Sequence, residues 1–97
     1  MVIYTIVLTE DGEKKEAEQA LVAAKLKEHF PDKYLRLTNS VFFVAVRDIL
    51  LARHVAEKIG INDEHKVSGL VHTFNFGSYH GMESNELWEW LRVADKV

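Results

Sequence analysis

The chain is expected to fold as an α+β domain of order β-α-β-β-α-β with one more helix at its end. Three observations carry that expectation. Residues 2–9 and 41–46 are apolar at nearly every position, the pattern of strands buried on both faces. Residues 13–29 and 48–60 space their apolar side chains at helical intervals and end on Pro31 and Gly60, two helix-stopping signals. These segments alternate within 97 residues, 47% hydrophobic and 28% charged, which suits one globular domain over residues 1–97.

In residues 2–9, Tyr4, Ile6 and Leu8 share one face, while Ile3, Val7, Thr5 and Thr9 share the other. Glu10-Asp11-Gly12 ends this central strand. Over 13–29 the apolar stripe is read through Ala17, Ala20, Leu21 and Ala24, widened by Val22 and Leu26. Glu13, Glu16 and Glu18 come early and Lys25, Lys27 and His29 late, which complements the helix dipole. Pro31 forbids continuation and pushes Phe30 out of helical dihedrals. Residues 34–37 alternate, Leu35 and Leu37 opposite Tyr34 and Arg36, as an edge strand does. Thr38-Asn39-Ser40 turns the chain into 41–46, and the two strands read as a hairpin.

Asp48 is the expected N-cap of the second helix, with Ile49, Ala52, Val55, Ala56 and Ile59 on its apolar side and Gly60 at the left-handed position beyond it. Residues 66–76 read as the last strand, with Leu70, His72, Phe74 and Phe76 on one face. Gly77 and Gly81 bracket a loop, and Ser84 caps a final helix over 85–94 that carries Leu87, Trp88, Trp90 and Leu91. Right-handed crossovers around one antiparallel sheet turn this order into the ferredoxin-like sandwich, strand order 4-1-3-2. The central positions of that order fall on the two doubly apolar strands, and an edge falls on the amphipathic one.

Two helices cover one face of such a sheet. The other still carries Ile3, Val7 and one of Phe42 and Phe43, and leaving them in water costs about 25 cal/mol per Å². Either the final helix folds over this face or a second copy covers it. A homodimer is expected, by face-to-face stacking or by sheet extension across a twofold axis.

The chain carries 12 Lys+Arg against 15 Asp+Glu, a net charge of −3. That balance argues against a nucleic-acid partner, whose phosphates are met by a basic excess. The absence of cysteine excludes disulfides, thiol catalysis and thiolate metal sites, and suits a reducing cytoplasm. The N-terminus shows neither a basic leader nor a small-residue cleavage site, and no apolar run nears the roughly 20 residues of a membrane span.

No catalytic group is assigned. The five histidines, His29, His54, His65, His72 and His80, fall on different elements and make no zinc-binding spacing. His72, on an apolar strand face, is expected to be buried with one partner. Glu10 and Asp11 are weak candidates for a hard cation such as Mg²⁺; their plainer role is to favour a helix N-terminus. No cofactor is otherwise expected. Tyr79 and His80, between two glycines, are candidates for lining a ligand pocket or an interface. Trp88 and Trp90 point about 200° apart on a helix, so one is expected inward and the other toward a partner.

Asn39-Ser40-Val41-Phe42-Phe43-Val44, Tyr79-His80-Gly81 and Glu86-Leu87-Trp88-Glu89-Trp90-Leu91 together resemble motifs of the small ferredoxin-like proteins related to the CRISPR spacer-acquisition nuclease and of SinR-like proteins. The resemblance implies a face-packed dimer. In the nuclease members it also implies an aspartate at the end of the first strand, one per subunit, sharing a metal. Here that position is Thr9, followed by Glu10 and Asp11. The leading expectation is a non-catalytic homodimeric module acting through protein contacts. The alternatives are a metal-dependent nuclease or nucleic-acid binder using Glu10 and Asp11 with Mg²⁺, and a dimer that senses a small ligand through Tyr79 and His80.

Overall fold

The sheet is built around β1 (Val2–Leu8), which pairs antiparallel with β3 (Val41–Val46) on one side and β4 (Gly69–Thr73) on the other. β2 (Tyr34–Arg36) pairs with β3 to close the hairpin. A computed structural model of the chain describes residues 2–74 and 85–96. The order along the chain is β1, α1 (Lys15–His29), β2, β3, α2 (Ala52–Ile59), β4, α3 (Asn85–Lys96). The strands lie in the order β2-β3-β1-β4; from the opposite edge the same sheet reads β4-β1-β3-β2. The result is an α+β fold, an open four-stranded antiparallel sheet with three helices. No helix among the described residues is long and apolar enough to cross a membrane.

Two-sided apolarity makes β1 and β3 central, because each face of these strands feeds a separate core. Tyr4, Ile6, Leu8, Phe42, Val44 and Val46 point to one side and meet Val22 and Leu26 of α1 with Val55 and Ile59 of α2. Ile3, Phe43 and Ala45 point to the other, where Leu91 of α3 is buried against them. The final helix therefore covers the second face, and the molecule has three layers.

Four local expectations are corrected. The alanines of the expected stripe, Ala17, Ala20 and Ala24, are exposed, whereas Val22 and Leu26, expected to widen it, are buried together with Gln19, and Leu21 is partly buried against the same core. The branched chains of Val22 and Leu26 bury more apolar area than alanine methyls, so they set the rotation of the helix. Asp48 does not begin α2; Leu51 does, in extended geometry, its N–H donating to His54 Nδ1 at 3.0 Å. One residue earlier the Leu50 N–H closes a turn onto the Arg47 carbonyl, and the buried Tyr4 hydroxyl donates to the Leu50 carbonyl at 2.8 Å. A helix starting at Asp48 would have given that carbonyl to the His54 N–H, which donates to Leu51 instead.

β4 begins at Gly69 rather than Lys66. Lys66 takes a left-handed φ of 55°, Val67 dips into the core with its N–H on the Gly60 carbonyl, and the Ser68 N–H donates to Glu18 Oε1 at 2.9 Å. Finally, His72 is exposed, not buried. It sits opposite Thr5 on an outer strand, where no second neighbouring strand shields it among the described residues.

Candidate functional site

The acidic candidates sit where β1 runs into α1. Glu10 and Asp11, with Lys15 and Glu16 of α1 and Thr38, Asn39 and Ser40 of the hairpin turn, line an open cleft of about 670 Å³. The local hydrogen bonds show what holds it. Glu10 Oε1 accepts the Gly12 N–H at 2.9 Å, Thr38 Oγ1 accepts the N–H groups of Ser40 and Val41, and the Leu8 N–H donates to the Ser40 carbonyl. Glu10 thus fastens the turn that leads into α1. No group of three or more His, Asp or Glu side chains among the described residues is placed to hold a metal ion.

The described histidines stay apart. His29 lies 3.8 Å from Glu28 and beside the Phe30 ring, His54 accepts at the start of α2, and His65 lies 3.9 Å from Glu64. Tyr79 and His80 lie outside the described residues, as do Gly77, Gly81 and the capping residue Ser84.

Trp88 and Trp90 both lean on the α3-side core, each partly buried. The expectation of one inward and one outward ring is corrected. Leu91 lies on the short arc between the two, about 60° from Trp88 and 100° from Trp90 by helical geometry. Rings that large reach the sheet from either flank. The Trp90 ring lies 6.3 Å from that of Phe43, which meets Phe74 edge-on at 5.4 Å. Val93, 59% exposed, is an outward apolar residue of this helix.

Two features were not read from the sequence. One is the exposure of Leu70, 49%, on β4, a strand that the expected order 4-1-3-2 already places at an edge. The other is an open groove of about 610 Å³ at the far end of the sheet, between the turn after α1 and the loop before α2. Its only sequence signal is the run Ile49-Leu50-Leu51, whose helical reading hid that Ile49 is 78% exposed and Leu51 49%.

Comparison with family models, with curated proteins and with solved structures finds no match for this chain.

Proposed function

We propose that the chain is a ferredoxin-like module that acts through protein contacts, first with a second copy of itself across the β4 edge. The observation that carries this reading is β4 itself. It is one of the two outer strands, β2 being the other, unpaired on one side among the described residues, and it bears a half-exposed leucine. Such an edge offers a row of backbone donors and acceptors to another strand. Pairing two β4 strands about a twofold axis would satisfy both edges and cover both copies of Leu70. Sheet extension is favoured over the face-packed dimer of the resembling proteins, because α3 already occupies the face that stacking would use.

Kinship with those small ferredoxin-like proteins is part of the same proposal. It is supported by the order β-α-β-β-α-β and by the hairpin and tryptophan-helix motifs. A cytoplasmic setting is supported by the cysteine-free composition.

Gel filtration with light scattering tests the assembly. The expected mass is roughly 22 kDa, twice the 11.2 kDa of the chain, and Leu70→Lys, which places a charge on the edge, is expected to return it to a single chain. A wild-type mass near one chain at micromolar concentration rejects the reading.

A further inference from the structure

The groove at the end of the sheet away from Glu10 and Asp11 joins an apolar floor to a one-sided charge. Pro31 closes one wall, Ile49 and Leu50 the other, with Val46 at the end of β3 between them. Lys33, Arg47 and Lys58 line it, from three separate elements of the chain, and no carboxylate does. None of these three cations is ion-paired to a described residue. Each of the three has an acidic neighbour in sequence, Asp32, Asp48 and Glu57, but none of those carboxylates lines the groove. In a chain of net charge −3, three unpaired cations converging on exposed aliphatic side chains form a patch of opposite character to the whole.

We propose that this groove docks an acidic peptide segment of a partner protein, an aliphatic side chain seated against Ile49 and Leu50 and flanking Asp or Glu carboxylates meeting Lys33, Arg47 and Lys58. The inference rests on the reading of the chain as a module of protein contacts and names the surface and the kind of partner. Both halves of the groove enter the choice. A bare phosphate would use the cations and leave Ile49 in water, whereas a purely apolar segment would leave the cations unmatched. The groove is open, with Ile49 exposed and Leu50 half-buried along it, which suits an extended chain better than an enclosed small molecule. Such attraction steers encounter and weakens as salt rises.

Fluorescence anisotropy with the whole chain and a fluorescein-labelled synthetic peptide of Asp and Glu around a central Leu pair tests it. The expected result is saturable binding that weakens about tenfold with the charge-reversed pair Lys33→Glu and Arg47→Glu, and about tenfold with Ile49→Ser, the equivalent of about 1.4 kcal/mol each. The same loss is expected when the peptide leucines become serines or its acids become lysines. All substituted positions are exposed, and circular dichroism checks that each variant folds.

No binding to the wild-type chain, or binding indifferent to these changes, overturns the proposal. So does equal competition by inorganic phosphate or by anionic vesicles, which would mark a plain anion site. The groove is lined by β3 and not by β4, so Leu70→Lys is expected to leave peptide affinity unchanged. A chain that is monomeric yet binds the peptide retires the assembly alone, and a dimer that ignores the peptide retires the groove alone.

Discussion

Gly60 shows how much one residue can decide. It ends α2 at a φ of 102°, is buried, and a Cβ there would lie 3.2 Å from Leu21 Cδ2 and 3.3 Å from Val67 Cγ2. A side chain would therefore meet both an unfavourable backbone region and two packed neighbours. Gly60→Ala is expected to cost about 1–3 kcal/mol, seen as a lower urea midpoint at unchanged slope; an unchanged midpoint would contradict this account. The role of Gly60 was legible, since a glycine directly after an apolar helical stretch is a local signal. The Tyr4–Leu50 hydrogen bond was not. Its partners are joined only by the completed fold, and it occupies the Leu50 carbonyl just before α2 starts.

At the level of elements, the same distinction separates what the sequence foretold from what it hid. β3 spans residues 41–46 as expected because all its neighbours bury it and its pattern is unambiguous. β4 is shorter than expected because the left-handed Lys66 and the buried Val67 take residues that look strand-like into a turn. On α1 the expected Val22 and Leu26 are buried while the expected alanines are not, because alanine fits both sides of a helix and the two larger side chains fit only the core.

α3 offers the sharpest test at this scale. Leu91 is its fully buried anchor, and Leu91→Ala is expected to destabilise by about 2–5 kcal/mol. Both tryptophans of the chain lie on this helix beside Leu91. Loosening it is therefore expected to shift intrinsic emission to longer wavelength, and to uncover Ile3 and Phe43 to a hydrophobic dye. Emission that does not move would mean the helix stays docked without its anchor.

For the molecule as a whole, the question the composition raised was where its apolar residues go. The three layers answer most of it, one core on each side of the sheet. What is left outside is confined to a few places, among them the β4 edge at Leu70 and the loop at Ile49 and Leu51. The sequence made the excess visible but not its location, which depends on strand order and on the docking of α3. If the β4 edge assembles two copies, folding stability is coupled to protein concentration. The melting temperature of the wild-type chain is then expected to rise over a hundredfold concentration series, while that of Leu70→Lys stays flat. A flat series for both would speak against assembly.

The placement of β1 between β3 and β4 also has a consequence for how the chain is made. Val2 pairs with Val46 on one side, and Leu8 with Gly69 on the other. Of the four strands β1 is translated first, yet its second edge is filled only when β4 has been synthesised. Until then the sheet ends on β1, a strongly apolar strand with one bare edge. Pairing so distant along the chain forms late and slowly. Chains that stop before β4 therefore leave that apolar edge open to misassembly.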